Sequence, residues 1–406
     1  MPRRGPPGGD GRGTAYGLAS NLFLVPLYSF FIVPASFFGA VLIPISGFLS
    51  DAVFHLAAYW VNAGYHGTRL VASLPGAYLR VGTPSPAELL AFYGLFAGVF
   101  FWKRGWGPRA AAGACLVVLV GFGPLYRLAD RLDGDLRFTV IDVGQGQSQL
   151  MEIPGGYKIL VDGGPWHGPF FDAGERVLAP FFWKKRIRHF DLLVSSHPDS
   201  DHFGGLKFIV DNFRVGRVWI SGHRPKSTEV LYPEFLSDLD KRGVPTRIVH
   251  AGSKPAHFGE ARLAVLWPPK GLFQDEDLGD NNTSLVLKLV FGRTSFLMPA
   301  DIEATAEELL LASDVLLSAD VLVAPHHGSK SSSSPAFVEA VRPSFALISS
   351  GRYNRFGHPA ASVLGRYSLV GTRVFRTDRQ GRILCRSDGK NVNCLPFWKE
   401  KAGAWD

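Results

Sequence analysis

Ser196-His197-Pro198-Asp199-Ser200-Asp201-His202-Phe203-Gly204-Gly205 puts four potential metal ligands into six positions, directly after the apolar run Phe190-Asp191-Leu192-Leu193-Val194-Ser195. The run reads as a buried strand, so the ligands stand at its carboxyl end, where α/β folds gather their sites. A lone surface histidine is ordinarily just solvated. Two histidines and two aspartates in one post-strand loop point instead to bound metal, and the rest of the chain is read outward from here.

Other chemically capable residues repeat this placement. Asp162-Gly163-Gly164 follows Lys158-Ile159-Leu160-Val161, Asp301 follows Ser295 to Ala300, and His326-His327-Gly328-Ser329 follows Val321 to Pro325. Taken singly, such residues also end strands and cap helices, and for Asp301 alone the cap reading is about as good. Together they favour one convergent site. Strands are expected near residues 137–143, 147–153, 157–161, 190–195, 216–220, 262–267, 284–291, 294–298, 320–324, 344–349 and 372–385. Helices are expected near 173–185, 203–212, 229–242, 302–312, 335–341 and 360–368. Hairpin-linked strands first, then strands separated by helices, predict two mixed sheets with helices outside.

The 406 residues are 46% hydrophobic, enough for two or three domains and too apolar for disorder. Residues 20–126 hold only two acids, Asp51 and Glu88, among long apolar runs. Leu22 to Leu49 has no charge over 28 residues, more than the about 20 residues that cross a hydrocarbon core. Pro86–Trp102 and Ala110–Tyr126 are two further expected spans. Asp51 to Arg80 reads as an amphipathic helix on the membrane surface. Residues 1–19 read as a flexible basic tail, and the long, late apolar run argues against a cleaved signal peptide. Lys103, Arg104 and Arg109 mark a cytoplasmic loop, so three crossings would put everything after Tyr126 outside the cell membrane. Three cysteines make no disulfide scaffold. Cys115 is a packing residue in a span. Cys385 and Cys394 face each other only if the turn between them slips to centre on Gly389-Lys390, so a bridge is allowed but not implied.

The loop at His197, the three post-strand elements, Thr139-Val140-Ile141-Asp142-Val143-Gly144-Gln145-Gly146, Asn281-Asn282-Thr283-Ser284-Leu285-Val286-Leu287 and Asn354-Arg355-Phe356-Gly357-His358-Pro359 resemble the metallo-β-lactamase superfamily. More narrowly, they are similar to the extracellular domain of ComEC-type competence proteins, the DNA-internalisation channels of bacteria. The resemblance covers residues 137–360 in the family's order. It implies an α/β fold, a metallo-β-lactamase-like αββα sandwich over 137–395, behind a helical transmembrane region at 20–126. The family's larger amino-terminal half is missing, which suggests a truncated or split version that cannot form a channel by itself.

The superfamily loop is His-x-His-x-Asp-His, and Asp199 here takes the second His position, as is common in the competence group. Carried over, His197 and Asp199 bind one ion, Asp201 and His202 a second, and Asp301 bridges both. His326 or His327 completes the second site, and the sequence leaves that choice open. The family's further single His has no counterpart at His223, His250 or His257, and Asn282 is the candidate for its space. Asp162 is expected to orient a ligand imidazole, and Asp142 and Gln145 to line the mouth. Asp201, Asp301 and His358 are the expected catalytic residues, with a structural role for His358 equally weighted. Gln147 stands where the family more often has Asp, and Ala300 where Gly often precedes the bridging Asp. Three carboxylates against three imidazoles bring Mn²⁺ or Mg²⁺ into competition with Zn²⁺. Two such ions suit phosphodiester hydrolysis.

The formal net charge is +8, but residues 1–130 carry nine basic and four acidic side chains, leaving 34 against 31. Val341 to Arg386 nevertheless holds nine arginines and one acid. Lys330, Arg352, Arg355, Arg373 and Arg376 are the expected DNA contacts, since arginine grips phosphate through paired hydrogen bonds. The bland alternative is solvated charge or contact with anionic lipid. The expected function is a membrane-tethered nuclease of DNA uptake with two divalent ions. Its expected partners are DNA, the membrane, and other uptake proteins or a separate chain carrying the missing channel half. A small-ester, thioester or phosphodiester hydrolase, or a non-catalytic DNA-binding or gating domain, are the competing readings.

Overall fold

The structure, a computed structural model, describes residues 12–14, 17–74, 78–80, 83–168, 170–223, 231–274 and 278–397. Most of the expected basic tail lies outside these. Two compact units divide at Pro84–Ser85.

In the first unit, the helix Gly17–Pro26 runs through a π-helical turn, Leu27–Ile32, into Val33–Leu42. Pro26 and Pro34 remove backbone donors, and the wider turn between them lets the helix continue without a break. The chain stops at a turn holding Pro44 and restarts as Gly47–Ser73, where Ser46 Oγ accepts from Leu49 N. The apolar run Leu22–Leu49 is therefore two pieces: Ser20–Leu42, long and apolar enough to cross a membrane, and the start of a separate 27-residue helix. The two pack where Ser50 Oγ donates to the Gly39 carbonyl (2.9 Å) and the Phe54 ring would stand 3.1 Å from a Cβ at position 39.

The second unit opens with a capping box, Ser85 with Glu88, on the helix Pro86–Phe100. Its 15 residues span about 22 Å at 1.5 Å each, short of a hydrocarbon core about 30 Å thick. The span expected at Pro86–Trp102 is a shorter apolar helix that tightens into a 3-10 turn, Trp102–Arg104, before Gly105 (φ +132°). It lies along Trp106–Leu132, where Gly98 meets Ala112 and Gly94 meets Cys115, the latter a packing residue as expected. Trp106–Leu132 contains the expected Ala110–Tyr126 span and is the second helix, among the described residues, able to cross.

Beyond Leu132 the chain forms two large sheets and two short two-stranded ribbons, Trp166–His167 with Phe171–Asp172 and His189–Phe190 with Arg214–Val215. The eight-stranded sheet runs, in space, Thr246–Ile248, Val218–Ile220, Leu192–Ser195, Tyr157–Val161, Gln149–Ile153, Leu136–Val140, Ile383–Ser387 and Val392–Pro396, parallel over the first four strands and antiparallel after. The seven-stranded sheet begins as an antiparallel meander, Ala256–Phe258, Ala261–Trp267, Val286–Phe291 and Thr294–Met298. It continues in parallel with Val321–Val323, Phe345–Ile348 and Arg373–Arg376. The strand expected over 372–385 is two, one in each sheet, because Thr377–Gln380 forms a helical turn that carries the chain across. Thr246–Ile248, Ala256–Phe258 and Val392–Pro396 were not expected. The last pairs Cys385 with Cys394 through the slipped turn, where Asp388 Oδ1 accepts from Lys390 and Asn391 N, and the two buried cysteines form a disulfide.

Alternation along the strands builds the layers. Leu136, Phe138 and Val140 face Leu287, Leu289 and Phe296 between the sheets, with the Phe138 and Phe296 rings stacked 5.0 Å apart. Leu150, Leu160 and Leu193 point the other way, under Phe182, Leu206 and Phe235 of the outer helices. Val286, Leu297 and Leu322 do the same on the second sheet, under Ala306, Phe337 and Tyr367. This is the αββα sandwich.

Candidate metal centre

The loops that leave the carboxyl ends of strands in both sheets meet at one edge of the sandwich. Their approach is close: a Cβ at Gly205 would stand 2.2 Å from the Gly163 carbonyl oxygen, so the two Gly-Gly turns can only meet backbone to backbone. Among the described residues, seven non-glycine residues have positive φ, and four of them, Asp162, Ala300, His326 and His327, belong to this edge. Backbone strain gathered in this way marks a site whose surroundings force its geometry. It also explains why glycine suits position 300: Ala300 has φ +52°.

The side chains form two overlapping groups, His197, His202 and Asp301, and Asp201, His202 and His327, in each of which all ligand atoms lie within 4.8 Å of one another. His202 Nε2 is 3.1 Å from Asp301 Oδ1, and His327 Nε2 is 3.5 Å from both Asp301 Oδ2 and Asp201 Oδ2. Asp199 Oδ2 stands 3.6 Å from His197 Nε2, near enough to share an ion with it. The groups depart from the carried-over pairing: His202 belongs to both, Asp301 to the first alone, and Asp199 to neither. Of the two late histidines, His327 faces the cluster, whereas His326 lies 3.8 Å from Asp301 through Nε2 and 3.0 Å from Glu303 through Nδ1.

Each ligand imidazole is held by its other nitrogen. His202 Nδ1 donates to Asp162 Oδ2 (2.8 Å), and Asp162 also accepts from Ser196 N and Ser196 Oγ, both at 2.8 Å. Because Ser196 Oγ gives its proton to Asp162, His197 Nδ1 donates to that oxygen (3.0 Å) and keeps Nε2 bare. His327 Nδ1 donates to the Ser349 carbonyl (2.9 Å). The expected place of Asp162 beside a ligand imidazole is thus filled. Asn282 instead caps the helix Ala304–Leu311, its Oδ1 accepting from Glu303 N (2.9 Å). His223, His250 and His257 join neither group.

The residues fit divalent metal. Nε2 of His197, His202 and His327 and Oδ1 of Asp301 are buried without a well-aligned hydrogen bond and converge on one another instead. The fold tolerates this where a cation is meant to sit. Electrostatics agree: burial opposes charge on Asp301, yet His202 and His327 hold its carboxyl well below the usual range. Burial likewise opposes a proton on His202, but Asp301 and Asp162 raise its pKa well above the ordinary value. Protons there stand in for positive charge that a metal would supply.

A cleft of about 970 Å³ opens beside the cluster, lined by Asp142, Arg352, Tyr353, Asn354, His358, Arg376 and Arg379 among others. The His358 ring lies 5.9 Å from that of His326. Burial and the neighbouring His327 and His326 lower the His358 pKa. Of the expected DNA contacts, Arg352 and Arg376 line the cleft, and Arg376 is gripped by Asp378 at 2.9 and 2.6 Å. Lys330, Arg355 and Arg373 are exposed and do not line it. Elsewhere in the stripe, Arg366 donates to the Ser332 and Ser333 carbonyls and Arg386 pairs with Asp135. Arg379, another of the nine arginines, lines the cleft from just after the Arg373–Arg376 strand. Gln145 Oε1 accepts from Gly351 N (3.2 Å) and so positions the cleft loop.

Residues 11–106 match the family model described as competence protein, and residues 141–352 that of the metallo-β-lactamase superfamily. ComE operon protein 3 of Bacillus subtilis (strain 168) is 29% identical over 90% of this chain and 48% of its own length. Competence protein ComA of Neisseria gonorrhoeae is 28% identical over 89% of this chain and 47% of its own. The chain thus spans about half the length of the curated relatives it matches. Among solved structures, a single-site mutant of CmlA beta-hydroxylase aligns with TM-score 0.42 and 17% identity over 78% of this chain and 65% of that one. With a matched region that covers just over half of its residues, behind a competence-protein region, the chain belongs to the metallo-β-lactamase superfamily.

Proposed function

We propose that the chain is a membrane-tethered, metal-dependent nuclease of the DNA-uptake machinery, hydrolysing phosphodiester bonds of incoming DNA. One observation carries the reading: a buried cluster of converging His and Asp ligand atoms lies one histidine ring away from a cleft lined by Arg352 and Arg379. A small-molecule pocket would have mostly apolar walls. The competence-protein region supports the same reading.

Two bound divalent ions would supply an activated water and neutralise charge on the phosphoryl group. His197, Asp199, Asp201, His202, Asp301 and His327 hold them, and the share of carboxylates favours Mn²⁺ or Mg²⁺ beside Zn²⁺. Asp162 and the Ser349 carbonyl fix which nitrogen His202 and His327 offer. Arg352 and Arg379 receive the flanking phosphates, and His358 hydrogen-bonds the scissile one. The buried Cys385–Cys394 disulfide favours an oxidising, extracytoplasmic compartment. Other uptake proteins, or a chain carrying the channel half of the relatives that this one does not cover, would deliver the strand.

The test is cleavage of linear DNA by the detergent-solubilised full chain with Mn²⁺. Asp301→Ala and Asp199→Ala should abolish it. Cleavage that persists in both variants sinks the metal assignment, and salt-dependent binding without cleavage by the unaltered chain sinks the nuclease reading.

A further inference from the structure

The loop Gly351-Arg352-Tyr353-Asn354-Arg355-Phe356-Gly357-His358 sets two aromatic rings where a soluble fold has no use for them. Tyr353 is 91% exposed and Phe356 56%. Neither belongs to a core cluster, and burying such a ring elsewhere would gain about 1.5–3 kcal/mol. The backbone beneath them is nonetheless fixed. Asn354 Nδ2 donates to the Gly351 and His358 carbonyls (2.7 and 2.8 Å), its Oδ1 accepts from His358 N (2.8 Å), and Gln145 holds Gly351 from the opposite sheet. Ordered aromatics held out into solvent point to a partner.

The surroundings say which partner. Each ring is preceded by an arginine whose guanidinium lies over it, Arg352 on Tyr353 at 5.7 Å and Arg355 on Phe356 at 5.1 Å. The Phe356 ring lies 5.7 Å from that of His358 with planes 10° apart, and His358 is next to His326. Tyr353 and His358 line the cleft, and the rings of Phe356, His358 and His326 follow one another toward the ligand cluster.

From this geometry we propose that Tyr353 and Phe356 are a stacking ledge for the unpaired bases of a single nucleic-acid strand, whose backbone Arg352 and Arg379 guide toward the cluster. The inference rests on the nuclease reading and narrows its substrate to a strand with free base faces. Alternating planar rings and cations match the alternation of bases and phosphates, and a base can stack only where it is not already stacked in a duplex. A lipid surface would also welcome arginine and aromatic side chains. It would, however, cover the cleft that the same loop lines.

The full chain in detergent, with EDTA to prevent cleavage, is titrated into a fluorescent oligothymidylate and into a duplex of equal length. Substituting both rings, Tyr353→Ala with Phe356→Ala, should weaken strand binding about 10- to 100-fold while duplex binding and the salt slope stay put. Tyr353→Phe and Phe356→Trp should each bind within about threefold of the parent, which separates stacking from collapse of the loop. Arg352→Ala should lower both affinities and flatten the salt dependence. Unchanged strand binding in the double variant, or an equal loss on duplex, overturns the ledge. So does quenching of the Phe356→Trp fluorescence by brominated lipid in nanodiscs. If the unaltered chain binds strands through these rings but cleaves nothing with Mn²⁺, the nuclease reading fails and the ledge stands. If it cleaves, and the double variant binds normally, the reverse holds.

Discussion

Asp162→Asn tests whether the cluster is built for metal, because it alters no proposed ligand. The carboxylate accepts three hydrogen bonds, from Ser196 N, Ser196 Oγ and His202 Nδ1. Asparagine keeps the shape and one acceptor oxygen, but its amide cannot accept the His202 proton. His202 then loses the partner that leaves its Nε2 bare toward Asp301, and both ligand groups contain His202. Partners of this kind are worth about 10- to 100-fold in metal affinity. At Mn²⁺ a hundred times the parent Kd, binding stabilises the parent by about 2.7 kcal/mol; a Kd 10- to 100-fold weaker leaves about 1.4 to 0.4 kcal/mol at the same concentration. Calorimetric titration gives the Kd, and thermal unfolding of the solubilised chain with and without Mn²⁺ gives the stabilisation. A parent-like Kd and a full thermal shift in the variant would refute the reasoning, since His202 would then need no orienting partner to bind metal.

Three further outcomes follow from the geometry. His327→Ala should lower Mn²⁺-dependent cleavage by about 100-fold or more, and His326→Ala by much less, because only His327 completes a ligand group; equal losses would contradict that assignment. Ala300→Gly should raise stability by about 1 kcal/mol, read by chemical denaturation, because it relieves a left-handed backbone at φ +52°. Burial raises the Asp172 carboxyl to about 6, so the folded chain holds this proton more tightly than the unfolded chain. The stability it lends is full below about pH 4 and is lost as pH rises toward 6, by about 1–2 kcal/mol after allowance for partial exposure, and Asp172→Asn should flatten that stretch of the stability profile.

The loop at His197 was legible because ligand chemistry is local: a strand, then His, Asp, Asp and His, needs no tertiary information to stand out. The same holds for Asp162, Asp301 and the His326-His327 pair, each placed after an apolar run by the rule that loops leave sheets at strand ends. Their convergence into an αββα sandwich followed from the order of strands and helices and from the resemblance. What one dimension could not carry was direction. His326 and His327 are neighbours in sequence, yet two successive left-handed backbone conformations turn one toward Glu303 and the other toward Asp201 and Asp301. Arg366, Arg376 and Arg386 look like members of one stripe in sequence, but partners from distant segments or an adjacent carboxylate tie each down. Residues 372–385 hold two strands and not one, because the polar stretch Thr377–Gln380 forms the helical turn that moves the chain between sheets. Composition likewise gave Pro86–Trp102 as one apolar stretch, while the length of its helix is set by where the chain tightens before Gly105. The identity of the ligands was a property of the sequence. Which nitrogen faces the cluster, which arginines remain to meet a phosphate and which cysteines pair depended on backbone geometry and on partners far away along the chain, and those exist only once the two sheets have closed.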